Sequence, residues 1–182
     1  MNLPNRLSIL RVLMIPVCVG LLYVGNAAMD IAALVVFLLA CLTDFLDGYI
    51  ARSRNIVTDF GRFLDPVADK LLVLSMMIML VSLHRLPAWL VVAVLTRELA
   101  VDGLRMVASG KGSVISAGHL GKIKTVSQML AVAVAVADKR VFPESTFTLA
   151  LSLIALALTL WSGVDYFIKN RHFLFSSKEP TA

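Results

Sequence analysis

Two pairs of carboxylates decide how this chain reads: Asp44-Phe45-Leu46-Asp47-Gly48-Tyr49-Ile50-Ala51-Arg52, and then Gly61-Arg62-Phe63-Leu64-Asp65-Pro66-Val67-Ala68-Asp69. The first pair closes one long apolar segment and the second opens the next. On a helix turning about 100° per residue, Asp44 and Asp47 lie about 60° apart, and Gly48 and Ala51 share their face. Asp65 and Asp69 lie about 40° apart, with Gly61 one turn earlier. Each helix therefore presents two carboxylates beside small residues that let a bulky ligand approach the backbone. At the centre of a bilayer span each charge costs about 2.5–3.5 kcal/mol, and four together cost about 10 kcal/mol, so they need partners or a polar cavity.

The surrounding sequence supports a bilayer as the solvent. Of the 182 residues, 59% are apolar and 16% charged, and the mean hydropathy is +0.86. A soluble domain runs at about 45–50% apolar and about 25% charged. Those values exclude a disordered chain, a disulfide-rich secreted scaffold and an ordinary soluble domain. Apolar segments at 9–25, 29–52, 65–83, 86–108, 122–138 and 146–169 come close to the about 20 residues that a span needs. They predict an all-α integral membrane protein with six transmembrane helices, organised as one domain over 1–182. Residues 1–8 are expected as a short juxtamembrane segment and 171–182 as a flexible tail. Pro4 fits a helix start, and Pro143 fits the link between the last two spans. Arg11 and Pro16 interrupt the first apolar stretch, which argues against a cleaved leader. Trp89 and Trp161 suit either an interfacial belt or internal packing. Cys18 and Cys41 have no metal or disulfide spacing and read as buried bystanders.

The net charge is +5, from 17 basic and 12 acidic residues. With the N-terminus inside, 14 of the 17 Lys and Arg fall on the cytoplasmic side, and only Arg85, Lys139 and Arg140 fall outside. The positive-inside rule then predicts both termini in the cytoplasm and an even number of spans. The excess basicity serves topology and anionic head groups, and no nucleic acid partner is expected.

Chemically, four carboxylates carry about four negative charges, which two divalent cations would balance. Two metals about 3.5–4 Å apart clamp a phosphoryl centre during in-line displacement, and Arg52 on the same helix suits a phosphate. On the residues alone, a metal–phosphate site stands beside two alternatives: an ion or proton pathway, and a structural salt-bridge cluster.

The spacing Asp44-x2-Asp47-Gly48-x2-Ala51-Arg52-x8-Gly61-x3-Asp65-x3-Asp69 resembles the complete signature of the CDP-alcohol phosphotransferase family. Three other stretches resemble the branch of that family whose acceptor is glycerol phosphate. They are Asn2-Leu3-Pro4-Asn5-Arg6-Leu7-Ser8-Ile9-Leu10-Arg11, where Ser8 replaces the usual Thr, then Thr96-Arg97-Glu98 followed by Arg105, and Gly121-Lys122-Ile123-Lys124-Thr125.

The resemblance implies a transfer of the phosphatidyl group from CDP-diacylglycerol to sn-glycerol 3-phosphate, with CMP released. It implies that Asp44, Asp47, Asp65 and Asp69 hold two divalent cations, Mg²⁺ or Mn²⁺, and that Asp69 is the general base. Gly48, Ala51, Arg52 and Gly61 are then expected around the CDP-diacylglycerol head group, with Asn5, Ser8 and Thr58 as further nucleotide contacts. The acceptor carries about two negative charges, so its pocket should be basic. Arg97, Arg105, Lys122 and Lys124 suit it; the alternative reading is positive-inside topology for Lys122 and Lys124, and a structural ion pair with Glu98 for Arg97. The resemblance also implies a homodimer in the bacterial cytoplasmic membrane, with the active site on the cytoplasmic side.

Other residues have plainer readings. Met76, Met77 and Met79 are packing or lipid contacts. His84, His119 and His172 are surface or interfacial. Asp102 and Asp165 pair with nearby bases, and Asp59 is a loop charge. The closest competing function is a sibling enzyme that takes inositol phosphate or serine, and the added bases argue against serine. A carboxylate-lined ion transporter would not need the Gly48, Ala51, Arg52 and Gly61 spacing, and a non-catalytic bundle subunit would tolerate neutralising Asp69.

Overall fold

The computed structural model describes residues 3–54, 59–111, 113, 115, 118–138 and 146–175. Within these, the side chains of 3–4, 46–54, 59–63, 65 and 174–175 lie outside the description. Six long helices follow one another: α1 (Leu3–Val24), α2 (Ala27–Arg54), α3 (Asp59–Ser82), α4 (Ala88–Gly110), α5 (His119–Ala137) and α6 (Thr146–Asn170). A single turn, α7 (His172–Phe175), ends the described chain. No strand occurs among the described residues.

Two tight connections set neighbouring helices antiparallel. Gly25 takes φ +72°, a left-handed conformation that glycine reaches without Cβ strain, and its N–H donates to the Leu22 carbonyl at 3.1 Å. The Asn26 side chain then accepts from the Met29 N–H at 2.9 Å, satisfying one of the donors that a helix start leaves open. Between α3 and α4, His84 takes φ +56°. Pro87 precedes the first turn of α4 in an extended conformation.

α1, α2, α5 and α6 are long and apolar enough to cross a membrane. α3 and α4 are of similar length, but their apolar character is broken by Asp65, Asp69 and Lys70, and by Arg97, Glu98, Asp102 and Arg105. α6 has an inside-out pattern. Thr148, Ser152, Ala155, Thr159, Ser162 and Tyr166 are its buried face, whereas Phe147, Ile154, Trp161 and Ile168 are exposed. A helix in water does the reverse. Small and hydroxylated residues facing inward allow close approach and interhelical hydrogen bonds where lipid removes any hydrophobic drive.

The helices alternate in direction, so one end of the bundle collects the start of α1, α3 and α5 and the end of α2, α4 and α6. The main apolar core occupies the other end. Leu22, Phe37, Leu72, Met76, Leu90 and Val136 belong to it, and each is essentially inaccessible. Arg85 bridges that end, pairing with Asp30 at 2.7 Å and donating to the Val136 carbonyl at 3.2 Å.

The helix start expected at Pro4 is present: residues 3–8 continue into α1 without a break, with Pro4 in the first turn, where a missing N–H costs nothing. Two expectations change. The tail is ordered further than expected: Lys111 Nζ donates to the Phe173 carbonyl at 2.7 Å, and Phe173 packs beside Val101, Leu104 and Tyr166. Residues 176–182 lie outside the described residues. Asp59 begins α3 and is not in a loop. The three methionines are buried, and Trp89 and Trp161 face outward.

Candidate active site

Apart from Asp30, Arg85 and Asp138, the charged residues of the described segments gather at the end of the bundle opposite the apolar core. There α1 buries Asn5, Ser8 and Arg11, three apart and so on one helical face. Arg11 is fully buried and lies 2.8 Å from Asp44 Oδ1 on α2. Asp44 is one of the four predicted metal ligands. Asp47, Gly48, Ala51 and Arg52 fall on the last turns of α2, and Gly61 and Asp65 on the first turns of α3, but their side chains lie outside the described residues, as does Thr58 altogether. Among the described residues no three His, Cys, Asp or Glu side chains form a metal-holding group.

Asp69 occupies a boundary position. It lies within electrostatic reach of Asp44 and Arg11 on one side, and of Lys124 and Glu98 on the other. It also lines a cavity of about 190 Å³ enclosed by α3, α4, α5 and α6. Its Oδ1 is buried and has no hydrogen-bond donor among the described residues. Leaving such an oxygen unsatisfied costs about 1–3 kcal/mol, and more for a charged group. That is the state expected of a carboxylate kept for a ligand.

Four cations, Lys70, Arg97, Arg105 and Lys124, and three carboxylates, Asp69, Glu98 and Asp165, line the cavity. Glu98 organises three of the cations. It is 4% exposed, so its charge needs counter-charges. Its Oε1 accepts from Arg97 at 3.1 Å and from Lys124; its Oε2 faces Lys70 at 3.7 Å. Lys70 also pairs with Asp102, one turn along α4. Arg97 is further held by the Thr159 carbonyl at 3.0 Å and by Ser162 Oγ. Gly163 makes room for it, since a Cβ there would stand 2.9 Å from Arg97 Cγ.

Arg105 is different. Its Nε donates to the Tyr166 hydroxyl at 3.1 Å, and its guanidinium carbon lies 5.4 Å from the Tyr166 ring centroid. Among the described residues it makes no ion pair, so its terminal nitrogens remain available. Of the other predicted acceptor ligands, Lys124 is buried in the cavity wall, whereas Lys122 is exposed and outside the lining. Asp165 pairs with Lys169 at 2.8 Å. The three histidines are exposed.

Sequence reading did not single out Arg11, Lys70, Gln128, Thr159, Ser162, Gly163 or Tyr166 as parts of this site. A signal was present in the polar stripes at helical spacing within apolar segments: Asn5-Ser8-Arg11 on α1, and Thr159-Ser162-Tyr166 on α6. Gln128 Nε2 donates to Thr159 Oγ1 at 2.9 Å, tying α5 to that second stripe.

Comparison with known proteins gives one family. The family model described as CDP-alcohol phosphatidyltransferase matches residues 1–161. A Bacillus subtilis (strain 168) protein named CDP-diacylglycerol–glycerol-3-phosphate 3-phosphatidyltransferase is 42% identical over 97% of this chain and 98% of its own. Proteins of the same name from Rickettsia typhi, 37% identical over 91% of this chain and 95% of its own, and from Salmonella choleraesuis, 38% identical over 91% and 92%, are similar too.

Proposed function

Because the chain belongs to the CDP-alcohol phosphatidyltransferase family, we propose that it transfers the phosphatidyl group of CDP-diacylglycerol to sn-glycerol 3-phosphate. The observation that carries this reading is one cavity lined together by Asp69, Arg105 and Lys124, with Asp69 Oδ1 lacking a hydrogen-bond partner among the described residues. A base and a phosphate-binding surface thus share one wall. The volume, about 190 Å³, is below the about 300–1,000 Å³ of drug-sized pockets and suits a small polar acceptor.

Asp69 takes the proton of the acceptor's 1-hydroxyl as that oxygen attacks the diacylglycerol-linked phosphorus. The new P–O bond forms as the bond to CMP breaks, leaving phosphatidylglycerophosphate and CMP. Arg105 grips the acceptor phosphate through its terminal nitrogens, oriented by Tyr166. Lys124 adds charge from the wall, Arg97 shapes the site from its three-way anchorage, and Lys122 attracts the dianion from outside without touching it. On the donor side, Asn5, Ser8, Gly48, Ala51, Arg52, Thr58 and Gly61 surround the cytidine diphosphate, and Asp44, Asp47, Asp65 and Asp69 hold two divalent cations, Mg²⁺ or Mn²⁺. A bare carboxylate oxygen on Asp69 fits a hard cation with oxygen ligands. When bound, such cations neutralise charge on the phosphoryl oxygens and on departing CMP.

The same reading places six spans in a bacterial cytoplasmic membrane, with both termini and the cavity on the cytoplasmic side and two copies forming a homodimer. It is tested by CMP release from purified protein given CDP-diacylglycerol and Mg²⁺. Glycerol 3-phosphate, serine and inositol phosphate are supplied in parallel. Release only with glycerol 3-phosphate is expected. Release with another acceptor instead would reassign the cavity to a sibling activity.

A further inference from the structure

We propose that Glu98 is a positioning residue for acceptor binding: it sets the places of the cations in the cavity, and its contribution to phosphate affinity is opposite in sign to that of its charge. The proposal rests on the reading of the cavity as the acceptor-phosphate site.

Glu98 is an acidic group at the centre of a surface that must attract a dianion. Viewed as charge alone it is harmful, since a carboxylate within a few ångströms of a bound phosphate repels it. Yet it is the point where three helices meet electrostatically. Lys70 comes from α3, Arg97 is its neighbour on α4, and Lys124 comes from α5. Three cations packed this close in a low-dielectric wall repel one another, and Glu98 is the carboxylate that all three share. With Glu98 in place, Lys124 is held 8% exposed in the wall. Lys70 is held between Glu98 and Asp102. Arg105, two turns along α4 from Glu98, is outside this network and is anchored by Tyr166. Among the described residues the cavity therefore has one lining cation outside any ion pair, Arg105, and three that share Glu98.

Two mechanisms predict opposite results on neutralising Glu98. If it only offsets charge, Glu98→Gln raises the positive potential and phosphate binds more tightly. If it positions, the cations separate and phosphate binds less tightly. One misplaced charge-assisted contact corresponds to about a tenfold loss or more.

The test measures equilibrium binding of sn-glycerol 3-phosphate to the detergent-solubilised full chain without CDP-diacylglycerol, together with the KM values and kcat of the turnover reaction. Glu98→Gln is expected to weaken binding and raise the KM for glycerol 3-phosphate by about tenfold or more, with the KM for CDP-diacylglycerol and kcat at saturating acceptor close to wild type. Glu98→Asp keeps the charge but shortens the reach by one methylene. It is expected to raise the same KM, and it serves if the Gln variant does not fold. Unchanged or tighter binding in the folded variants, or a fall in kcat alone, would overturn the proposal. Wild-type protein that binds glycerol 3-phosphate but does not turn it over would sink the proposed reaction and leave the Glu98 result readable. Wild-type protein that binds none overturns both.

Discussion

Arg11 Nη1 lies 2.8 Å from Asp44 Oδ1, joining the start of α1 to the end of α2. The arginine is fully buried and the aspartate one-third exposed, and neither lines the cavity among the described residues. In the sequence Arg11 stood as a charge interrupting an apolar segment and as the last residue of the opening motif, with no partner assigned to it. Its position makes it a positioning residue for a carboxylate of the signature.

Replacing Arg11 by Met leaves Asp44 without this counter-charge. Breaking a buried pair costs about 3–5 kcal/mol, and the partial exposure of Asp44 reduces this to about 1–3 kcal/mol. The Arg11→Met protein is expected to unfold at a lower temperature in detergent and to lose turnover. Arg11→Lys should recover part of both. A Met variant that matches wild type in melting and in CMP release would remove Arg11 from the account.

Arg105→Ala is expected to raise the KM for glycerol 3-phosphate by about tenfold to a hundredfold, the range for losing a charged hydrogen bond of about 1.5–3 kcal/mol. The KM for CDP-diacylglycerol should not move. Lys122→Ala, at an exposed site outside the cavity lining, should change the acceptor KM by less than about threefold, and that change should vanish at high salt. Steady-state kinetics in both substrates checks this, and equal effects at the two positions would contradict the placement of Lys122.

Gly163→Ala sets two effects against each other. Alanine gains about 1 kcal/mol of helix propensity over glycine. Against that, the new Cβ would meet Arg97 Cγ at 2.9 Å, and Arg97 is held by Thr159, Ser162 and Glu98, so it cannot swing away freely. Overpacking of this kind costs about 1–3 kcal/mol. The expected net result is a less stable protein with weaker acceptor binding. Gly20→Ala, where nothing lies within 4 Å, should be neutral or stabilising. Thermal unfolding of the two variants side by side distinguishes them, and equal melting temperatures would contradict the steric argument.

The six helices were legible because apolar length is an unambiguous signal, and each observed helix overlaps its predicted segment with ends a few residues away. The α7 turn was missed because a polar tail looks unstructured without the contacts that hold it. The site was legible in part. Fixed spacing of aspartates and small residues marks a helix face, but it does not say which cations will be shared. Arg97 and Lys124 were read as acceptor ligands from motif and charge, with an Arg97–Glu98 ion pair as the alternative; the structure pairs both cations with Glu98. Tyr166 and Gly163 had no charge to announce them. Their roles come from touching arginines 61 and 66 positions away in the chain, at distances that only the packed helices reveal.

The most direct test of the account is turnover by Asp69→Asn. Asparagine keeps the shape, and among the described residues Asp69 Oδ1 has no hydrogen bond to lose, so the variant should remain folded in the membrane. Loss of general-base catalysis alone is expected to slow CMP release with glycerol 3-phosphate by about 10²–10⁴-fold. A folded Asp69→Asn protein that releases CMP at a near-normal rate would contradict the claim that this carboxylate takes the acceptor's proton.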